Sequence, residues 1–241
     1  MSGAPDKQHQ DKHCIVIGVG PGTGLATVKH FAANGYRVSM IARHAGRLES
    51  WEREIAGTKG YQADIGETVA FVETLKRCAV EQGTPDAIIY NATLASRGRY
   101  EDIAIADFER NFRVNAAGLL ATAQTLCPAM CERGEGALIC TGNTGAMRGK
   151  PDFIGWTPTK AAQRMVAEAL ARDLGPKGVH VAYVVIDAVI DMPFARKRWP
   201  DFPDDFYAKP DDLAAEIYHL ANQPRSARSF LIELRPFGEK W

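Results

Sequence analysis

Cys14-Ile-Val-Ile-Gly-Val-Gly-Pro-Gly-Thr-Gly24 decides the fold. Four apolar residues, Cys14 to Ile17, run into glycines at 18, 20, 22 and 24. Leu25, Ala26, Val28, Phe31 and Ala32 then recur at helical spacing. An apolar run, a glycine cluster and an amphipathic stretch read as strand, tight turn and helix. Such a turn brings backbone close to a phosphate, and the helix start offers free N–H groups at the positive end of its dipole. A glycine cluster by itself can also be only a flexible loop; the flanking strand and helix favour a nucleotide site.

The same alternation continues outward from this unit. Apolar runs at 36–42, 60–63, 87–90, 136–141, 179–186 and 230–234 read as strands. Helical spacing covers 43–56, 67–81, 107–133, 157–174 and 211–222. Strand–helix repetition of this length predicts an α/β protein, a doubly wound parallel sheet between two helix layers, in one domain over 12–241. Residues 1–11 are polar and read as a flexible leader. Segment 187–209, rich in proline and aromatics, reads as a lid over a binding site, with surface packing or a subunit contact as the alternative.

Composition narrows the partners. With 241 residues, 46% of them hydrophobic, the chain can bury one sizeable core. The 29 basic residues balance 29 acidic ones, which gives no general affinity for nucleic acid or anionic membrane. Five cysteines lack zinc-ligand spacing; Cys127 and Cys131, four apart on a predicted helix, read better as reduced core thiols. No apolar signal core or bilayer-length stretch is present, so a cytoplasmic location without membrane attachment is expected.

The glycines at 18, 22 and 24 give Gly-x-x-x-Gly-x-Gly, and here the chain resembles the short-chain dehydrogenase/reductase family. Asp64 after the third strand, Asn91-Ala92 after the fourth, Asn115 in Arg-Val-Asn-Ala-Ala-Gly and Lys160 fall in the family's order. The resemblance spans about residues 12–235. It implies a Rossmann-like fold with Gly18, Gly22, Thr23 and Gly24 at the phosphates. Asp64-Ile65 would then bracket the adenine, Asn91 with Ala92 lie beside the adenosine ribose, Lys160 bond the nicotinamide ribose, and the Ile190 backbone meet the carboxamide. The second strand ends in Arg43 with no carboxylate, and Arg47 follows. A basic residue there suits the 2′-phosphate of NADP(H) over NAD(H), because a planar guanidinium matches phosphate oxygens. An ordinary solvated arginine is the alternative.

Two departures stand at the chemical end. Family members usually carry Asn, Ser, Tyr and Lys; Tyr and Lys sit four apart on one helix face, so that the lysine charge lowers the tyrosine pKa. Asn115 and Lys160 match that set, but Trp156 stands at the Tyr position and Asn143 at the Ser position. Indole N–H is a donor that does not ionise at accessible pH, so Trp156 cannot replace tyrosine as acid or base. Trp156 and the Asn143 amide can instead polarise a carbonyl as an oxyanion hole does; filling a disused pocket is the alternative. Asp187 and Asp191 are candidate replacement acids. With Met192, Phe194 and Trp199 they are assigned to the lid, whose apolar side chains favour an apolar or aromatic carbonyl or alcohol. The resemblance thus implies an atypical NADP(H)-dependent oxidoreductase; the rival is a non-catalytic NADP(H)-binding protein, a sensor or an inactive subunit. It also implies a homodimer or homotetramer through helices 107–133 and 157–174, whose alanine-rich faces suit either subunit contact or the chain's own sheet.

Overall fold

The computed structural model describes residues 12–239; the leader expected at 1–11 lies outside them. Strand β1 (His13–Ile17) is buried on both faces. Ile15 and Ile17 enter one apolar cluster and Cys14 and Val16 the other, as the two-residue period of a strand requires. Beside β1 lie β2 (Arg37–Ala42), β3 (Thr58–Gln62), β4 (Ala87–Tyr90), β5 (Gly136–Gly142), β6 (Val179–Ile186) and, at the far edge, β9 (Leu231–Leu234). All pair in parallel in the order β3-β2-β1-β4-β5-β6-β9. Strands buried on both faces need helices on both, and they have them. Helices α1 (Thr23–Ala33), α2 (Ala45–Glu54) and α8 (Pro210–Ala221) cover one face. Helices α3 (Thr68–Gln82), α5 (Gly118–Arg133) and α6 (Thr157–Leu174) cover the other. The expected architecture, a Rossmann-like doubly wound sheet, is the one found.

Strand order reverses between β1 and β4. At such a switch point the following loops diverge and leave a crevice outside the carboxyl ends of the strands. Register carries the glycine turn to its rim: Asn91 N–H donates to Ile17 O at 2.9 Å, and Gly18 N–H to Ile41 O at 2.9 Å.

Two elements differ from the sequence expectation. The helix expected over 107–133 is interrupted: α4 (Ile105–Phe112) passes into a π turn, Arg113–Ala117, before α5. A π turn shifts the backbone hydrogen-bond register, and here the Tyr90 hydroxyl donates to the Val114 carbonyl. Gly118 permits this contact, since a Cβ there would lie 2.3 Å from the Tyr90 oxygen. The segment 187–209 is a small ordered unit. It holds β7 (Val189–Ile190), paired in parallel with β8 (Tyr207–Ala208), and between them α7 (Pro193–Arg198) and a 3-10 turn, Asp204–Phe206. Pro193 stands at a helix start, where its missing N–H costs nothing.

Candidate functional site

Two cavities adjoin at the carboxyl ends of the strands. The first, about 350 Å³, is lined by the turn from Gly18 to Gly24, by Ala42 to His44 and Arg47, by Asp64-Ile65, by Asn91 to Leu94, and by Ile190 and Met192. Its floor admits only glycine at position 18. There φ is +84°, and a Cβ would lie 2.5 Å from the Ala92 Cα. Helix α1 starts at Thr23 without a side-chain cap, and the Thr23 hydroxyl is buried without a partner among the described residues. Uncapped first-turn amides and an orphaned hydroxyl at the wall of a glycine cradle fit a dinucleotide phosphate.

The expected cofactor residues Gly18, Gly22, Thr23, Gly24, Arg43, Asp64, Ile65, Asn91, Ala92 and Ile190 all line this cavity. Asp64 is tied down: its carboxylate accepts from Gly66 N–H at 2.8 Å and pairs with Arg110 at 2.7 Å. Arg43 and Arg47 are exposed, and neither guanidinium has an ion-pair or hydrogen-bond partner among the described residues.

Lys160 does not face this cavity. It is buried on α6, where its Nζ donates to Gln163 Oε1 at 2.9 Å and to Thr141 O at 3.4 Å. Loss of hydration lowers its pKa to about 8. From Thr141 the polar chain runs on toward the glycine turn: its hydroxyl donates to Asn91 Oδ1 at 2.9 Å, and Asn91 Nδ2 to Gly18 O at 3.1 Å. Lys160 thus fixes the floor of the crevice through three neighbours. Asn115, in the π turn, clamps rather than reaches. It accepts from Leu94 N–H at 2.9 Å, donates to Leu94 O at 2.7 Å, and donates to the Thr159 hydroxyl at 2.8 Å. Its amide is thus engaged by the loop after β4 and the start of α6.

The second cavity, about 280 Å³, is lined by Arg97, Asn143 to Gly145, Arg148, Lys150, Phe153, Trp156, Thr157, Ile186 to Val189 and Glu239. It brings Asn143 and Trp156 together. Asn143 accepts from Gly145 N–H at 2.8 Å through Oδ1, which leaves its Nδ2 without a partner among the described residues. The Trp156 indole nitrogen is buried and equally unpartnered. Its loop is fastened by Asn111, which donates to Gly155 O at 2.8 Å and to Ser96 Oγ at 3.0 Å. A backbone bridge from Gly98 to Phe153 holds Arg97 beside it, the guanidinium 5.3 Å from the Phe153 ring centre. Side chains alternate along β7, so Val189 lines this cavity and Ile190 the first.

The lid residues divide. Met192 reaches the cofactor cavity; a Cβ on Gly22 would lie 2.7 Å from its Sδ. Phe194 is 73% exposed, and Phe194 and Trp199 line neither cavity; the Trp199 carbonyl accepts from the Tyr207 hydroxyl. The apolar-substrate expectation loses these two supports, while Arg97, Arg148 and Lys150 add charge that sequence reasoning had not placed. Asp191 also lies outside both cavities. It pairs with Arg196 and Lys209, each at 2.6 Å, and their hydrogen bonds hold its carboxyl far below the usual carboxylate range. A carboxylate so held supplies no proton near neutrality, which corrects the expectation of a replacement acid there. Asp187 does line the second cavity, but as an ion-paired carboxylate 2.6 Å from Arg235. Glu239 was missed altogether: it follows no motif and comes from the far end of the chain. The loop at 148–150, with two cations around Gly149, was the available signal for a charged rim.

The cysteines are free, and Cys14, Cys78, Cys127 and Cys140 are buried. Burial pushes the Cys127 and Cys140 thiols up to about 12, which makes them inert packing groups. Among the described residues no group of His, Cys, Asp or Glu could hold a metal ion, and no helix is long and apolar enough to cross a membrane.

A parallel sheet with a glycine cradle at its switch point, and a second cavity sharing a strand with it, defines a protein of the Rossmann type with a site suited to a dinucleotide. Residues 12–200 match the family described as short chain dehydrogenase, and the chain belongs to that family. NADPH carbonyl reductase 2 of Sus scrofa is 27% identical over 225 residues, covering 89% of this chain and 91% of its own. L-xylulose reductase of Homo sapiens is 26% identical over 191 residues, covering 79% and 76%. An alcohol dehydrogenase from the archaeon Thermococcus sibiricus, solved with 5-hydroxy-NADP, superposes with a TM-score of 0.84 at 24% identity over 95% of this chain and 98% of that one. A short chain oxidoreductase from Pseudomonas aeruginosa PAO1, described as containing an atypical catalytic center, gives 0.85 at 17% identity, covering 97% and 99%. The first three are oxidoreductases by name, as is the fourth.

Proposed function

We propose that this chain is an NADP(H)-dependent oxidoreductase that interconverts a carbonyl and an alcohol without the family's phenol. The observation that carries the reading is the Trp156 indole N–H, buried and without a partner among the described residues, on a side chain that lines the second cavity. A buried donor left without an acceptor costs about 1–3 kcal/mol, and a substrate oxygen relieves it. The Asn143 Nδ2 is a second free donor on the same wall. Two donors lining one cavity can stabilise the negative charge that grows on a carbonyl oxygen bound between them as it is reduced.

When bound, the nicotinamide exchanges hydride with the substrate carbon. The chain's own groups bind and orient. Arg43 and Arg47 take the 2′-phosphate, a role supported by their lack of an anion partner among the described residues and by the pairing of Asp64 with Arg110. The amides of Gly22 to Gly24 and the Thr23 hydroxyl take the bridging phosphates, and the Ile190 backbone meets the carboxamide. Lys160 and Asn115 are positioning residues, acting through Thr141 and Asn91 and through Leu94 and Thr159. Assembly into a dimer or tetramer is supported by Phe112, Leu120 and Met165, exposed on the helices expected to meet. Ala116, Ala121, Ala123 and Ala167 face the chain's own core instead. A cytoplasmic enzyme fits the free cysteines.

The test is consumption of NADPH, against NADH, over a panel of ketones and aldehydes, repeated with W156F and N143A. Turnover that falls in both variants supports the reading. Binding of NADPH with no turnover across the panel, or of its alcohols with NADP, overturns it in favour of a non-catalytic NADP(H)-binding protein. Trp156 lends itself to that rival too, because it cannot move a proton.

A further inference from the structure

Reduction of a carbonyl needs a proton for the oxygen, and neither Trp156 nor Asn143 can release one. We infer that Glu239 is the proton donor of this site, a carboxyl brought from the end of the chain into the cavity that holds Trp156 and Asn143. The inference rests on the proposed function and adds to it the missing acid.

Geometry comes first. Glu239 lines the second cavity, and its Oε2 is buried with no hydrogen-bond partner among the described residues. The turn that delivers it is held by backbone contacts. Gly238 N–H donates to Asp205 O at 2.9 Å, and a Cβ on Gly238 would lie 2.8 Å from the Phe206 backbone nitrogen. A glycine is thus required where the chain end presses against the 3-10 turn at Asp204–Phe206, and Glu239 N–H donates back to Pro236 O at 3.3 Å. The other carboxylates nearby are spent: Asp187 on Arg235, Asp191 on Arg196 and Lys209.

Charge and burial then favour the protonated form. Burial raises the Glu239 pKa first, and Asp187 raises it further; Arg235, Arg148 and Lys150 oppose. A carboxyl whose pKa is raised above the ordinary glutamate value is better matched to general-acid work than a free one. In the step, the hydride pair arriving at the carbonyl carbon displaces the C=O π pair onto oxygen. The Glu239 O–H bond breaks and its proton goes to that oxygen, leaving a carboxylate that is reprotonated from water; the substrate is reduced and NADPH oxidised. The reverse reaction uses the carboxylate as base.

The experiment compares wild type, E239Q and E239D with the best carbonyl of the panel, together with carboxyl titration by NMR of 13C-glutamate-labelled protein. E239Q should lose about 100-fold in kcat with KM and the NADPH Kd within about threefold, as a group acting only in the proton step requires. It should also abolish the alkaline fall in kcat and remove one carboxyl resonance that titrates above the ordinary glutamate range. E239D should recover part of the rate. An active wild type with E239Q within threefold and an unchanged pH profile overturns the acid alone. A wild type that binds NADPH but reduces no carbonyl overturns the proposed function, and the acid with it. A Glu239 carboxyl titrating in the ordinary range counts against the acid in either case.

Discussion

Replacing Arg43 and Arg47 by alanine tests the cofactor preference most directly. Both residues line the first cavity, and among the described residues no anion pairs with either guanidinium. A charge-assisted hydrogen bond contributes about 1.5–3 kcal/mol, and the low end applies because both side chains are exposed. Each substitution should therefore weaken NADPH by about tenfold, and the pair, about 3 kcal/mol in all, by about 100-fold. NADH lacks the 2′-phosphate, so its Kd should stay within about twofold. The ionic origin adds a second signature: raising salt from ~0.05 M to ~0.5 M should weaken NADPH in the wild type far more than in the double variant. Titration calorimetry with both dinucleotides reads all four quantities. Equal losses for NADPH and NADH would mean that Arg43 stacks on the adenine or holds the loop. An unchanged NADPH Kd in the double variant would refute the phosphate role outright.

Other substitutions probe the remaining parts. W156F keeps the ring and deletes the orphaned donor; kcat should fall about tenfold, or ~1.4 kcal/mol, while the melting temperature holds or rises, because an unsatisfied buried group has gone. K160M tests the buried amine through linkage. The folded pKa of about 8 lies below the unfolded 10.5, so the folded state is penalised while the amine is charged, and the penalty fades as pH rises from 8 to 10.5. The stability difference between wild type and K160M should shift by about 3 kcal/mol in favour of wild type across that window, measured by urea unfolding at each pH; a flat difference would contradict a depressed lysine. G18A, at φ +84° with Ala92 Cα 2.5 Å from the new methyl, should cost about 2–4 kcal/mol in stability and abolish dinucleotide binding. A variant with wild-type melting and Kd would show that the turn can yield.

What was legible in the sequence was what local chemistry dictates. Cys14 to Ile17 are apolar throughout because both faces of β1 are covered, and glycine at 18 follows from a backbone no side chain can share with Ala92. The π turn was not legible, because Val114, Asn115 and Ala116 are buried together and keep an apolar stripe that passes for continuous helix. Pro193 and its aromatic neighbours suggested an irregular lid, whereas proline at a first helical position nucleates α7 and sends Phe194 into solvent. The second cavity is assembled from Arg97, Arg148, Trp156 and Glu239, which meet only through the sheet. Trp156 was found through the register set by Lys160; Glu239 had no local pattern to betray it.

The two residues of β7 give the molecule a party wall, with Ile190 turned to one chamber and Val189 to the other. A strand only two residues long, held by pairing to β8, has little room to adjust one side and spare its reverse. Occupancy on one side is therefore felt on the other, and thermodynamic reciprocity makes the effect mutual. Whatever factor the ligand of one chamber imposes on the affinity of the other, it receives back unchanged, whichever enters first.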